Sequence, residues 1–326
     1  GADERVGIEY VGLAGHRNLG DDAMLEAIRG LMPWAEIGTG VTKPRAVMLG
    51  GGTLLNSGNY YLNKLRRVDG PNLERVVFGT GVKSESYWGT TEELADWDPF
   101  LRSALAVGLR GPASVTTMRT WGYDGPLDVI GDPALSLERP EGVEAFVGRV
   151  VVCPVFTDGD CWGGDDRAVF EAFARLIERL TVEGRDVVML TAFPGDDRWA
   201  IEIMREAGRP DLAYLPGYED LDAALRLVAS ADLVVGERLH AVVLAAAMST
   251  PFVGVEYRPK IADFAESLGM ADAVVRTDAI ASLDEVVRSM TSERRAAVRG
   301  RLAEAVGRYR GLQADLAERL RSDLER

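Results

Sequence analysis

The chain has two histidines, and one of them, His240, stands two places after an arginine in Gly236-Glu237-Arg238-Leu239-His240-Ala241. An apolar run, Leu233 to Val235, precedes this stretch, and a longer one, Val242 to Met248, follows it. The pattern reads as a buried strand, a short polar turn and a very apolar helix. An arginine grips carboxylate or phosphate through its fork of N–H donors, and an imidazole gives or takes a proton near neutral pH. A helix start adds backbone N–H groups and the positive end of a dipole, which disfavours the imidazolium unless an anion is bound. Capping or packing is the plain alternative for a lone histidine. The adjoining arginine and the position at a strand end weigh against it.

Similar residues recur after other apolar runs. Glu256-Tyr257-Arg258-Pro259-Lys260 follows residues 251–255, and Lys260 is one of only four lysines. Arg110 follows residues 105–109 and precedes Pro112, which suits a first helical turn. It can grip an anion there or form a salt bridge. Arg238, His240, Lys260 and Arg110 together make a positive pocket in an acidic chain, which implies a small, multiply anionic ligand.

Three further strand ends are weaker signals. Asn18 and Asp21, in Gly15-His16-Arg17-Asn18-Leu19-Gly20-Asp21, suit a helix cap or a hydroxyl site. Gly50-Gly51-Gly52-Thr53 allows either a tight turn or close approach of a ligand to the backbone, and fits neither the dinucleotide fingerprint nor the P-loop. Lys83 follows residues 75–79, and beyond it Tyr87 and Trp88 could stack on a sugar ring or simply pack.

Ten apolar runs alternate with helical periodicity, at 5–11, 45–49, 75–79, 105–109, 127–130, 149–153, 186–191, 212–215, 232–235 and 251–255. Alternation of this kind indicates parallel sheets with helices on both faces, and ten strands divide naturally five and five. The expected fold is α/β, with two Rossmann-like doubly wound domains facing a cleft. The Pro/Gly-containing, charged stretch 136–149 is the expected seam, giving domains 1–140 and 141–290, with 291–326 a helical tail packed on the body. Ligands of such sheets bind at the carboxyl ends of the strands, where the polar clusters fall.

Composition removes several function classes. Net charge is −14, with 37 basic and 51 acidic residues, so nucleic acid is not an expected partner. The two cysteines, Cys153 and Cys161, have no histidine-rich surroundings, so neither a disulfide framework nor a metal site is expected, and Cys153 reads as a buried strand thiol. No apolar segment reaches the length of a membrane span. The expected location is the cytoplasm, with its membrane face as the place to meet a lipid-linked substrate.

Seven short motifs, taken in order, resemble the polysaccharide pyruvyl transferase family over roughly residues 6–270. They are NLGDDAML (18–25), GGGTLL (50–55), GTGV (79–82), GLRGPAS (108–114), GDPAL (131–135), GERLHA (236–241) and GVEYRPKIADF (254–264). The resemblance implies a GT-B-like architecture and transfer of the pyruvyl group of phosphoenolpyruvate onto two hydroxyls of a sugar. It implies that Arg238 and His240, with Gly236, Leu239, Lys260 and Arg110, hold phosphoenolpyruvate, with Arg238 and His240 catalytic. Gly111 follows Arg110 where many members have Asp. Asn18, Asp21, Gly51, Gly52, Thr53, Lys83, Glu256 and Tyr257 remain as acceptor or cleft residues. The only co-substrate implied is phosphoenolpyruvate, with no cofactor and no metal, and the acceptor sugar is lipid-linked, nucleotide-linked or polymeric. A glycosyltransferase of the same architecture is the nearest rival, with Glu256 as its ribose ligand. A non-catalytic sugar-phosphate binding protein is a more distant one.

Overall fold

A computed structural model describes residues 5–56, 59–84 and 92–326. The chain divides into two compact units. The first comprises residues 1–16, 23–137 and 307–326, and the second 17–22 and 138–306.

The first unit is built from β1 (Val6–Val11), most of α1 (Leu19–Leu31), β2 (Ala35–Gly38), β3 (Ala46–Leu49), β4 (Gly52–Leu55), α2 (Tyr60–Val68), β5 (Glu74–Val82), α3 (Asp98–Arg102), β6 (Ala106–Leu109), α4 (Pro112–Trp121) and β7 (Asp128–Val129). Its parallel sheet runs β2-β1-β3-β5-β6-β7, with β4 paired to β5. The strands are nearly continuous apolar runs because both faces are covered. One face packs Leu62, Leu65, Trp97, Phe100 and Met118; the other packs Ile28, Met32, Leu316, Leu320 and Leu324.

The second unit contains β8 (Arg149–Cys153), α5 (Asp166–Val182), β9 (Asp186–Thr191), α6 (Asp197–Glu206), β10 (Ala213–Pro216), α7 (Leu221–Ser230), β11 (Leu233–Gly236), α8 (Leu239–Ala247), β12 (Phe252–Glu256), α9 (Lys260–Ser267), β13 (Val274–Arg276) and α10 (Leu283–Ser289). Its parallel sheet runs β10-β9-β8-β11-β12-β13, the dinucleotide-fold order in which the direction of winding reverses between β8 and β11. Helix α8 is apolar all round because it is a core helix, with Ala241 to Ala246 each 0% exposed.

The five-and-five division is corrected to seven strands and six among the described residues. The additional strands β2, β4 and β13 are four, four and three residues long, too short to show a period. Unit boundaries also differ from the expected ones. The last helix, α11 (Ser292–Leu324), contributes to the second unit up to Val306 and to the first from Gly307. In the first unit the Gln313 side chain donates to the carbonyls of Ile130 and Asp132. Residues 17–22 join the second unit, where the Leu19 N–H donates to the Ala192 carbonyl and Leu19 is buried. Neither attachment is local in sequence.

Candidate functional site

In the second unit the polar residues converge at the carboxyl ends of β8, β9, β11 and β12, around the point where the sheet reverses its winding. Gly236 ends β11 in a turn so tight that a Cβ there would stand 2.9 Å from that of Ala241. The Glu237 N–H then donates to the Cys153 carbonyl, and its carboxylate accepts from the Val155 N–H at 2.6 Å. The Glu237 side chain is thereby sealed beneath the site. Burial pushes its carboxyl up to about 8, with the Val155 N–H opposing and the Asp196 charge adding to the shift. Burial likewise drives the Cys153 thiol far above its usual range, so this thiol is inert packing.

Arg238 caps α8 with extended backbone. Its Nε and Nη2 donate to the two oxygens of Asp196 at 2.8 and 2.9 Å. Asp196 is fully buried and also accepts from the Phe156 N–H. The guanidinium stands 5.6 Å from the centre of the Phe193 ring, and its side chain keeps 21% exposure. The expected bidentate grip of Arg238 is therefore spent on a buried aspartate, with Nη1 outside that pair. Asp196 is the member of this cluster that the sequence reading overlooked. Its signal was the Phe193-Pro194-Gly195-Asp196 turn just past β9.

His240 is the second residue of α8, within the first turn at the dipole's positive end. The backbone of Gly20 lies flat against its ring: a Cβ on Gly20 would stand 2.2 Å from Nδ1 and 2.4 Å from Cγ. The Asn18 side chain accepts from the N–H groups of Gly20 and Asp21 at 3.0 and 3.3 Å, so Asn18 caps α1. Its cap holds the glycine in place against the histidine, which joins the capping and the site readings of this loop. Asp21 is buried beside it.

Tyr257 follows β12 and is 1% exposed. The Lys260 Nζ and the Arg258 Cζ lie 5.6 and 5.2 Å from its ring centre. Lys260 opens α9, and Leu239 is buried at the start of α8. Glu256 pairs in register with Arg276 at the sheet edge, and burial raises its carboxyl to about 7, with Arg276 working against that.

The remaining expected residues lie in the first unit, at the carboxyl ends of β3, β5 and β6. Arg110 is buried; its Nη2 donates to the Thr53 hydroxyl at 3.2 Å, and Gly81 leaves room for its guanidinium. Lys83 is buried at the end of β5. In the glycine triplet, a Cβ on Gly50 would strike the Tyr10 ring and one on Gly51 the Met24 sulfur, at 2.2 and 2.1 Å, so both positions are closely packed. Gly52 has a φ of 109° and opens β4. Tyr87 and Trp88 lie outside the described residues. Among the described residues, no group of three His, Cys, Asp or Glu is placed to hold a metal ion, and no helix is long and apolar enough to cross a membrane.

The architecture is shared with solved structures of low sequence identity. A UDP-N-acetylglucosamine 2-epimerase described as putative, from Listeria monocytogenes, superposes with a TM-score of 0.54 at 11% identity, covering 90% of this chain and 91% of its own. A UDP-forming trehalose-phosphate synthase from Burkholderia vietnamiensis gives 0.53 at 13% identity, covering 86% and 74%. An uncharacterised protein from Klebsiella pneumoniae gives 0.50 at 10% identity, covering 83% and 92%. These likenesses establish the fold: two Rossmann-like parallel-sheet domains of the GT-B class. The family model for polysaccharide pyruvyl transferases matches residues 18–259, which takes in the Asn18 cap, the Arg110 strand end and the Arg238–His240 turn. The chain belongs to the polysaccharide pyruvyl transferase family, a family of transferases.

Proposed function

We propose that this protein transfers the pyruvyl group of phosphoenolpyruvate onto two hydroxyls of a sugar, in a polysaccharide or its precursor, as a cyclic ketal with release of phosphate. The observation that carries this reading is the pairing of Arg238 and His240 at the start of α8, at the reversal point of the second sheet. Phosphoenolpyruvate brings a carboxylate and a phosphate, and the Nη1 end of Arg238 and the Lys260 ammonium are the cations to receive them. Arg110, in the first unit, stays a proposed anion ligand. The chemistry requires a proton at the methylene carbon and the loss of one from each sugar hydroxyl. His240, held by Gly20, is the proposed group for the first transfer. Asp196 fixes the Arg238 rotamer.

The test is phosphate release from phosphoenolpyruvate with a panel of sugar acceptors, alongside thermal stabilisation by phosphoenolpyruvate and by nucleotide sugars. Stabilisation by phosphoenolpyruvate, with phosphate release, is expected. A shift with nucleotide sugars alone would refute the reading in favour of glycosyl transfer. His240→Ala should lower turnover by about a hundred- to ten-thousand-fold. His240→Gln should be nearly as slow while still binding phosphoenolpyruvate, because an amide cannot titrate. Recovery of much of the rate by Gln would reduce His240 to a positioning role.

A further inference from the structure

The proposed reaction moves two hydroxyl protons, one to the methylene carbon and one to the departing phosphate. His240 accounts for the first. For the second, the structure offers the Tyr257 hydroxyl, which nothing so far has used. Tyr257 is 1% exposed, and among the described residues its hydroxyl proton finds no acceptor; the side chain that reaches the phenol oxygen, the Lys260 ammonium, is itself a donor. The charged groups that act on it are Lys260, Arg238 and Arg258. Ammonium and guanidinium groups only donate hydrogen bonds, so none can accept the phenol's proton. A buried donor without an acceptor opposes folding, and a catalytic role is one reason such a group is kept. Burial by itself would raise the phenol's pKa. The charges of Lys260, Arg238 and Arg258 outweigh it and hold the group below its usual range.

We infer that Tyr257 is a second proton-handling residue of this site, donating to a phosphate oxygen of bound phosphoenolpyruvate and protonating that phosphate as it leaves. The inference rests on the pyruvyl-transfer reading. In the first step a sugar oxygen bonds to C2, the C2–C3 π pair takes a proton at C3, and the sugar hydroxyl loses one. In the second, the C2–O bond to phosphate breaks with its electron pair on oxygen, and that oxygen receives the Tyr257 proton. The second sugar hydroxyl bonds to C2 and returns its proton to Tyr257. Two hydroxyl protons are lost, one gained by carbon and one by phosphate, and no oxidant or reductant enters.

The experiment compares the wild type with Tyr257→Phe in thermal melting, phosphoenolpyruvate binding, turnover, and exchange of the methylene protons in deuterated solvent with acceptor present. Phe removes only the hydroxyl, whose proton has no acceptor, so the melting temperature should hold or rise. Binding should weaken less than about tenfold while turnover falls at least about a hundredfold. Exchange should persist in Tyr257→Phe, because the first step is intact, and vanish in His240→Gln. A lower melting temperature with near-normal turnover would make the hydroxyl structural and overturn the inference. Loss of exchange in Tyr257→Phe would also overturn it, by moving Tyr257 to the first step. If the wild type neither binds nor consumes phosphoenolpyruvate, the pyruvyl-transfer reading itself fails, a result distinct from normal turnover in Tyr257→Phe alone.

Discussion

Gly20→Ala isolates the seating of His240 from its chemistry. Gly20 is in the first turn of α1, where alanine is intrinsically better than glycine by about 1 kcal/mol. Any loss must therefore come from contact. The new methyl carbon would stand 2.2, 2.4 and 2.9 Å from Nδ1, Cγ and Cβ of His240. Carbon contacts are comfortable from about 3.5 Å, so the ring must retreat by roughly 1 Å. Cγ and Cβ are the root of the side chain, so swinging the ring tip does not relieve the clash. A misplacement of about 1 Å costs around a hundredfold in rate. Turnover is expected to fall about that far in a steady-state phosphate-release assay, with the protein folded and phosphoenolpyruvate still bound. Gly30→Ala is the internal control: it lies in the same helix, and its Cβ would meet nothing within 4 Å. That variant should melt at or above the wild-type temperature with full turnover. Wild-type turnover in Gly20→Ala would refute the contact argument and remove His240 from its assigned place.

Arg238→Lys keeps the charge but cannot match both oxygens of Asp196. We expect at least several-fold weaker phosphoenolpyruvate binding by calorimetry and a lower melting temperature, and unchanged affinity would make Arg238 purely structural. Glu237 holds a proton in the folded state up to about pH 8, whereas its ordinary value is 4.5. Its stabilising contribution is thus complete below about 4.5 and is lost as pH rises through about 8, at up to about 1.4 kcal/mol per pH unit. Glu237→Gln should flatten the fall in melting temperature between pH 5 and 8, leaving the smaller slope from Glu256; an unaltered slope would clear Glu237 of this role. Gly51→Ala should destabilise by about 1–3 kcal/mol through overpacking on Met24, and adding Met24→Ala should restore part of that, whereas an additive double variant would deny the contact.

The sequence by itself determined the fold class, most of the strands and the Arg238–His240 pair. Those signals are local: runs of valine and leucine long enough to show a buried strand, a helix too apolar to face water, and polar residues massed at strand ends. The apolar run Val150-Val151-Val152-Cys153 and the core helix after His240 are of that kind. What only the tertiary structure decided is which distant segments share a surface. Asp196 reaches Arg238 across 42 positions, and Gly20 presses on His240 from the far end of the chain. The glycine triplet admitted a ligand or a tight turn; only the tertiary structure showed that Tyr10 and Met24 press on Gly50 and Gly51. Helix α11 reads locally as a tail, yet Gln313 satisfies two buried carbonyls of the first unit. Hydrophobic periodicity reports which face of an element is buried but not against what, because burial depends on neighbours the local sequence does not name.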